Sequence, residues 1–64
     1  MAIRRMLGRL PREQREVVVR RFFADQTFRA IAVELALTEG AVKMRFRRGL
    51  ELLRALLLEE GHTL

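Results

Sequence analysis

The chain has 64 residues and half of them are hydrophobic, so it can form one small domain with a real core but not two domains. It contains no cysteine, which excludes a disulfide framework and a cysteine-based zinc site, and its single histidine, His62, cannot form a metal site by itself. The formal net charge of +5 favours a polyanionic partner such as nucleic acid, or an acidic protein surface.

The sequence also indicates where the protein is located and whether it is an enzyme. No apolar run approaches the about 20 residues of a membrane-spanning helix, and no long apolar segment follows Arg4 and Arg5. We therefore expect a cytoplasmic protein without a membrane span or a signal peptide. The chain lacks cysteine, serine, tyrosine and tryptophan, and it has no phosphate-binding glycine loop, so we expect neither an enzyme nor a cofactor.

Two helices are predicted in the first part of the chain. Apolar residues and arginines alternate with helical spacing from Met1 to Leu10, which indicates a short first helix. Pro11 ends this helix, because a proline pushes the preceding residue out of the helical region, and it suits the first position of the next helix. We predict the second helix from Pro11 to about Phe23.

The second helix carries two apolar strips. Val18 and Phe22 are four residues apart and are predicted to lie in the core. Val19 and Phe23 form a second strip beside them. This second strip is either ordinary core or an exposed surface for a partner.

A loop and a third helix follow. Asp25, in the predicted loop, tolerates left-handed backbone conformations better than most residues. Thr27 is predicted to cap the third helix, because its hydroxyl can accept an unpaired backbone N–H. The apolar residues of this helix recur at helical spacing and are expected to face inward: Phe28, Ile31, Ala32 and Leu35. Ala36 lies in the following turn, where a left-handed backbone would cost about 1 kcal/mol.

The last helix is predicted to be long, from Thr38 as its N-cap to Glu59 or Glu60. One stripe of apolar side chains is expected to face inward: Val42, Phe46, Leu50, Leu53 and Leu57. Gly49 lies beside this stripe and predicts close packing against another helix. Leu52 and Leu56 form a second apolar stripe.

The same helix carries cations outside its apolar stripe: Lys43, Arg45, Arg47 and Arg48. A pair of helices joined by a tight turn, with cations on one side of the second helix, is what the major groove of DNA accepts. The pattern therefore indicates a helix–turn–helix motif from Thr27 to Arg48.

These features resemble a known family. From Leu10 to about Leu57 the chain is similar to region 4, the C-terminal helix–turn–helix domain of bacterial sigma factors, especially the extracytoplasmic-function group. The matching segments, in register and without a gap, are LPREQREVVVRRFF and TFRAIAVELALTEGAVKMRFRRGLELLRALL. The resemblance implies an all-α fold over residues 1–64, a small bundle of about four helices with a long C-terminal recognition helix. Response-regulator helix–turn–helix domains share a similar pattern.

The resemblance implies that the domain binds double-stranded promoter DNA and reads the minus-thirty-five element. The residues that would face the major groove are Glu39, Gly40, Lys43, Met44 and Arg47, and those near backbone phosphates are Thr38 and Arg48. Lysine and arginine suit guanine O6 and N7, and glutamate suits cytosine N4. A glycine can read no base edge, and a methionine offers only apolar contact.

The resemblance also implies protein partners. In the family, region 4 docks on the flap of the RNA polymerase β subunit, and anti-sigma factors compete for similar surfaces. Docking of this kind requires an exposed apolar strip. The candidates are Val19 with Phe23, or Leu52 with Leu56, and the alternative for both pairs is ordinary core.

The chain departs from the family in some respects. Ala36 replaces the usual turn glycine, and Asp25 and Ala30 stand where glycine and glutamate are common. No segment resembles the promoter-melting domain, so we expect either a domain of a longer sigma factor or a small standalone protein. A different hypothesis is a protein-interaction module, in which the leucine-rich last helix pairs with a second copy or with another protein.

Overall fold

The computed structural model describes residues 2–61, and within them the chain forms four helices and no strand. The helices are α1 (Ala2–Gly8), α2 (Arg12–Phe22), α3 (Phe28–Leu35) and α4 (Glu39–Glu59). This confirms the predicted all-α fold with a long last helix. The expectations for Met1 and for residues 62–64 lie outside the described residues.

Two threonines begin the helices of the predicted motif. The Thr27 and Thr38 hydroxyls accept hydrogen bonds from the backbone N–H groups of Ala30 and Ala41, each at 3.0 Å. Both bonds satisfy N–H groups that the first turn of a helix leaves unpaired, so both predicted N-caps are confirmed. The helix α2 begins one residue later than predicted. Its first helical residue is Arg12, and Pro11 is its N-cap.

The turn between α3 and α4 depends on a left-handed alanine. Ala36 has φ 55° and ψ 44°, and the Leu37 N–H donates to the Ala32 carbonyl at 2.9 Å. This bond closes the end of α3 in the manner of a Schellman motif, which glycine normally supports at its left-handed position. Asp25 is also left-handed, with φ 53°, as its place in the loop before α3 suggested.

We expect Ala36→Gly to raise the free energy of unfolding by about 1 kcal/mol, because glycine avoids the clash between Cβ and the backbone. The measurement is urea unfolding followed by circular dichroism. The same change at the exposed Ala55, inside α4, is the control and should lower the free energy of unfolding by about 0.5–1 kcal/mol. Loss of stability in both variants would show that the Ala36 backbone is not strained.

Among the described residues, the buried apolar side chains form two clusters. The first cluster, between α1, α2 and α4, contains Met6, Leu7, Leu10, Val18, Leu53 and Leu56. The second cluster, behind the helix–turn–helix motif, contains Val17, Ile31, Ala32 and Val42. Phe46 is partly buried and packs against both clusters. The side of α4 that carries Val42 and Phe46 therefore faces inward, as the sequence predicted.

The helices α2 and α4 pack closely against each other at Gly49. A Cβ added there would lie 2.8 Å from Val18 Cγ2 and 3.4 Å from Gln14 Cβ. The predicted close packing is confirmed. The small residue lets the cationic helix lie directly on α2.

One prediction about burial is wrong. Phe22 was expected in the core but its side chain is 60% exposed, because it is the last residue of α2 and covers the Phe46 ring with only one face. Leu52 and Leu56 were left open between an exposed strip and ordinary core; Leu56 is buried and Leu52 is half-buried, which is the arrangement of core residues. Both leucines pack in the first cluster, because α1 covers this side of α4.

Ion pairs link elements at both ends of the bundle. Arg5 contacts Glu60 at 2.6 Å and Arg9 contacts Glu59 at 3.8 Å, joining the α1 region to the far end of α4. On the other side, Arg20 of α2 pairs with Glu34 of α3. The ion pairs join α1 to the end of α4 and α2 to α3, whereas the first half of α4 is held by Val42 and Phe46 in the apolar clusters.

Candidate nucleic-acid interface

The first half of α4 presents an exposed polar side. All the residues that the resemblance assigned to DNA are exposed: Thr38, Glu39, Gly40, Lys43, Met44, Arg47 and Arg48. Val42, between Gly40 and Lys43, is fully buried. The helix is therefore held by one side and open on the other, which is the arrangement that insertion into a groove requires.

Four of these residues form one continuous surface, which we call the cationic surface: Gly40, Lys43, Met44 and Arg47 line a shallow depression. Spacings of three and four residues place them on one face of the helix. Lys43 and Arg47 are one turn apart, a rise of about 6 Å along the axis. The missing side chain at Gly40 leaves the backbone open at the start of this surface, since an added Cβ would meet no atom within 4 Å.

Each cation of this surface has a carboxylate one turn away. Lys43 Nζ lies 3.8 Å from Glu39 Oε1, and Arg47 Nε lies 3.8 Å from Glu51 Oε1. Arg47 Nη2 also donates to Met44 Sδ at 3.4 Å. These are exposed pairs, which contribute little to stability and exchange readily for other partners. The side chains of Lys43 and Arg47 remain 57% and 68% exposed.

Arg48 lies at a second depression, beside the cationic surface. Arg45, Arg48 and Met44 line it from α4, and Glu13 and Gln14 line it from the first turn of α2. The structure thus separates Arg48 from Lys43 and Arg47, and it adds the half-buried Arg45 to the candidate residues. The sequence shows Arg45 among the cations of α4 but assigns it no role in DNA binding.

A separate apolar cleft of about 320 Å³ opens between α1, α2 and α4. Its lining consists of Ile3, Leu7, Val18, Phe22, Phe23, Leu50 and Leu53. Phe23, one of these lining residues, is 63% exposed. Val19 is 37% exposed but lies outside the lining residues, and neither Leu52 nor Leu56 belongs to it.

Within residues 2–61, no helix combines the length and the apolar character that crossing a bilayer needs. The same part of the chain brings together no group of acidic or histidine side chains that could hold a metal ion.

The short helix α3, the turn at Ala36 and the exposed cationic side of α4 define a helix–turn–helix domain of the DNA-binding type. The family model described as "Sigma-70, region 4" matches residues 1–53. The chain therefore belongs to the sigma-70 region 4 family, a family of DNA-binding domains of transcription and not of enzymes.

A curated relative agrees with the family. The chain is 44% identical over 50 residues to the protein described as "ECF RNA polymerase sigma factor RpoE" from Cereibacter sphaeroides. The match covers 78% of this chain but only 28% of that relative, so the matched part of this chain corresponds to less than a third of the relative's length. No solved structure matches the chain.

Proposed function

We propose that this chain reads the minus-thirty-five element of a promoter by placing the first half of α4 in the major groove. The observation that carries the proposal is the arrangement of α4: Val42 and Phe46 are held inside while Lys43 and Arg47 stay exposed on one face. Family membership supports the same conclusion.

The chemistry of the cationic surface suggests which base edges it reads. Lys43 and Arg47 would donate to O6 and N7 of guanines, and Glu39 would accept from N4 of a cytosine. Met44 can contact only an apolar group such as a thymine methyl. Gly40 reads no base, but its bare backbone allows α4 to approach the DNA closely.

Phosphate contacts would set the register of the domain on the duplex. The Thr38 hydroxyl accepts the Ala41 N–H and still has its own hydrogen to donate to a phosphate oxygen. Arg48, with Arg45 beside it, would contact the strand that passes the second depression. Such contacts carry no sequence information, and they make affinity fall steeply with salt.

The experiment that tests this proposal is a selection of duplexes from a pool with a randomised centre, using the 64-residue chain. We expect the unmodified chain, the parent, to enrich duplexes that share a short consensus sequence. A duplex that carries this consensus is called the selected duplex. The Lys43→Ala variant should lose its base preference at one position of the consensus. Recovery of duplexes without any common sequence would refute promoter reading.

We also propose that the domain docks on the RNA polymerase core, at the flap of the β subunit, through the apolar cleft. Exposed aromatic side chains beside an apolar depression are what a protein partner buries most favourably. Phe22 and Phe23 lie at the cleft with more than half of their surface exposed. An anti-sigma factor would compete for the same cleft. A homodimer through Leu52 and Leu56 has less support, since Leu56 is buried.

Phe23→Ala should weaken binding to the isolated flap by about tenfold, because aromatic side chains at the centre of an interface carry much of its energy. The measurement is a calorimetric titration of the flap with each variant. Val33→Ala is the control, since Val33 is 76% exposed but lies on α3, outside the cleft. Equal affinities of the Phe23→Ala and Val33→Ala variants would exclude the cleft as the docking site.

Two further proposals concern the extent of the domain and its location in the cell. We propose that residues 1–64 act as one domain and that this domain works in the cytoplasm, where bacterial promoters and polymerase are found. The domain needs no cofactor for either proposed contact, because both are made by its own side chains.

A further inference from the structure

We propose that Glu51 is a positioning residue that restrains Arg47 from sequence-independent phosphate contacts and so raises the specificity of DNA binding. This inference rests on the proposed function, because it concerns how the cationic surface chooses between base edges and phosphates. Glu51 was not among the residues that the sequence assigned to DNA.

The Arg47 guanidinium is held from two directions along α4. Its Nε lies 3.8 Å from Glu51 Oε1, one turn towards the C-terminus. Its Nη2 donates to Met44 Sδ at 3.4 Å, about one turn towards the N-terminus. The two contacts restrain the guanidinium between Met44 and Glu51, and its N–H groups can still donate to an acceptor pair such as O6 and N7 of guanine.

Phosphates compete with base edges for the same arginine. A guanidinium is planar and pairs with a phosphate in a bidentate manner, and phosphates are present at every position of every duplex. An arginine that could turn freely would gain affinity for any DNA. The Glu51 carboxylate opposes this, because its ion pair with Nε, at 3.8 Å, is given up when the guanidinium turns towards a phosphate.

The chain provides a closely matched carboxylate as a control. Glu59 is also on α4, its Oε1 also lies 3.8 Å from an arginine nitrogen, Arg9 Nη2, and its side chain is 65% exposed against 71% for Glu51. Glu59 is twelve residues beyond Arg47, a rise of about 18 Å along the helix, which exceeds the Debye length. Neutralising it changes the net charge by the same amount without affecting Arg47.

The test compares Glu51→Gln with Glu59→Gln on the selected duplex and on a scrambled duplex of the same composition, over a series of salt concentrations. For Glu51→Gln we expect affinity for the scrambled duplex to rise about threefold to tenfold, with a salt slope steeper by about one. Affinity for the selected duplex should change by less than about twofold, since its arginine contact already exists. The ratio of the affinity for the selected duplex to the affinity for the scrambled duplex therefore falls.

A second comparison assigns the effect to Arg47. In an Arg47→Ala background, Glu51→Gln should leave the ratio of affinities unchanged. The inference is overturned if Glu51→Gln behaves like Glu59→Gln, or if its effect persists without Arg47. Either of these results would leave the parent's sequence preference intact, whereas a parent without any preference would refute the proposed function itself.

Discussion

Replacing both Lys43 and Arg47 by alanine should weaken binding to the selected duplex by about a hundredfold at physiological salt, since each good contact to a base edge contributes about 1–3 kcal/mol of discrimination. Both side chains are more than half exposed, so the double variant should fold as the parent does. The measurement is fluorescence anisotropy with the selected and the scrambled duplex. The loss should be larger for the selected duplex.

The control for this experiment is Arg4→Ala with Arg9→Ala, which removes the same net charge from exposed positions at the other end of the bundle. Arg9 pairs with Glu59, which lies sixteen residues beyond Lys43, a rise of about 24 Å along α4. We expect this pair of changes to weaken binding by less than about threefold, because charges beyond a Debye length are largely screened. Equal losses in the two double variants would mean that net charge alone, and not the cationic surface, holds the DNA.

Gly49→Ala should lower the free energy of unfolding by about 1–3 kcal/mol, the usual cost of inserting a methyl group into a packed site. The new Cβ would lie 2.8 Å from Val18 Cγ2, and Val18 is buried and β-branched, so it cannot turn away easily. This cost exceeds the about 1 kcal/mol that alanine gains over glycine in a helix. For a domain of this size the loss is a large part of the total stability.

Gly40→Ala is the matched control, made in the same helix at a position where an added Cβ meets nothing within 4 Å. Its free energy of unfolding should equal the parent's or exceed it by up to about 1 kcal/mol. Both variants can be compared by urea unfolding. If Gly49→Ala is as stable as Gly40→Ala, α2 and α4 do not approach as closely as described.

The sequence was sufficient to predict features that depend on residues close together in the chain. The Thr27 and Thr38 caps predicted the starts of α3 and α4, because a capping hydroxyl bonds to a backbone N–H only three residues away. Val42 and Phe46, four residues apart, identified the inner side of α4. These local features are enough to place the cationic surface.

The sequence was insufficient where burial depends on the position of a distant helix. Leu56 is buried because α1 covers the second half of α4, and nothing near Leu56 in the chain predicts where α1 lies. Phe22 has the spacing of a core residue, but α2 ends there and leaves half of the ring uncovered. Glu51 could have been found, because its spacing of four residues from Arg47 is visible in the sequence.

The most direct test of the account measures whether Lys43 and Arg47 touch base edges in the major groove. The guanines of the selected duplex are replaced by an analogue that lacks the N7 acceptor, and affinity is measured for the parent and for the Lys43→Ala, Arg47→Ala variant. We expect the analogue to weaken DNA binding by the parent about tenfold and DNA binding by the variant less than about twofold. No loss for the parent, or the same loss for both proteins, would contradict reading of the promoter by α4.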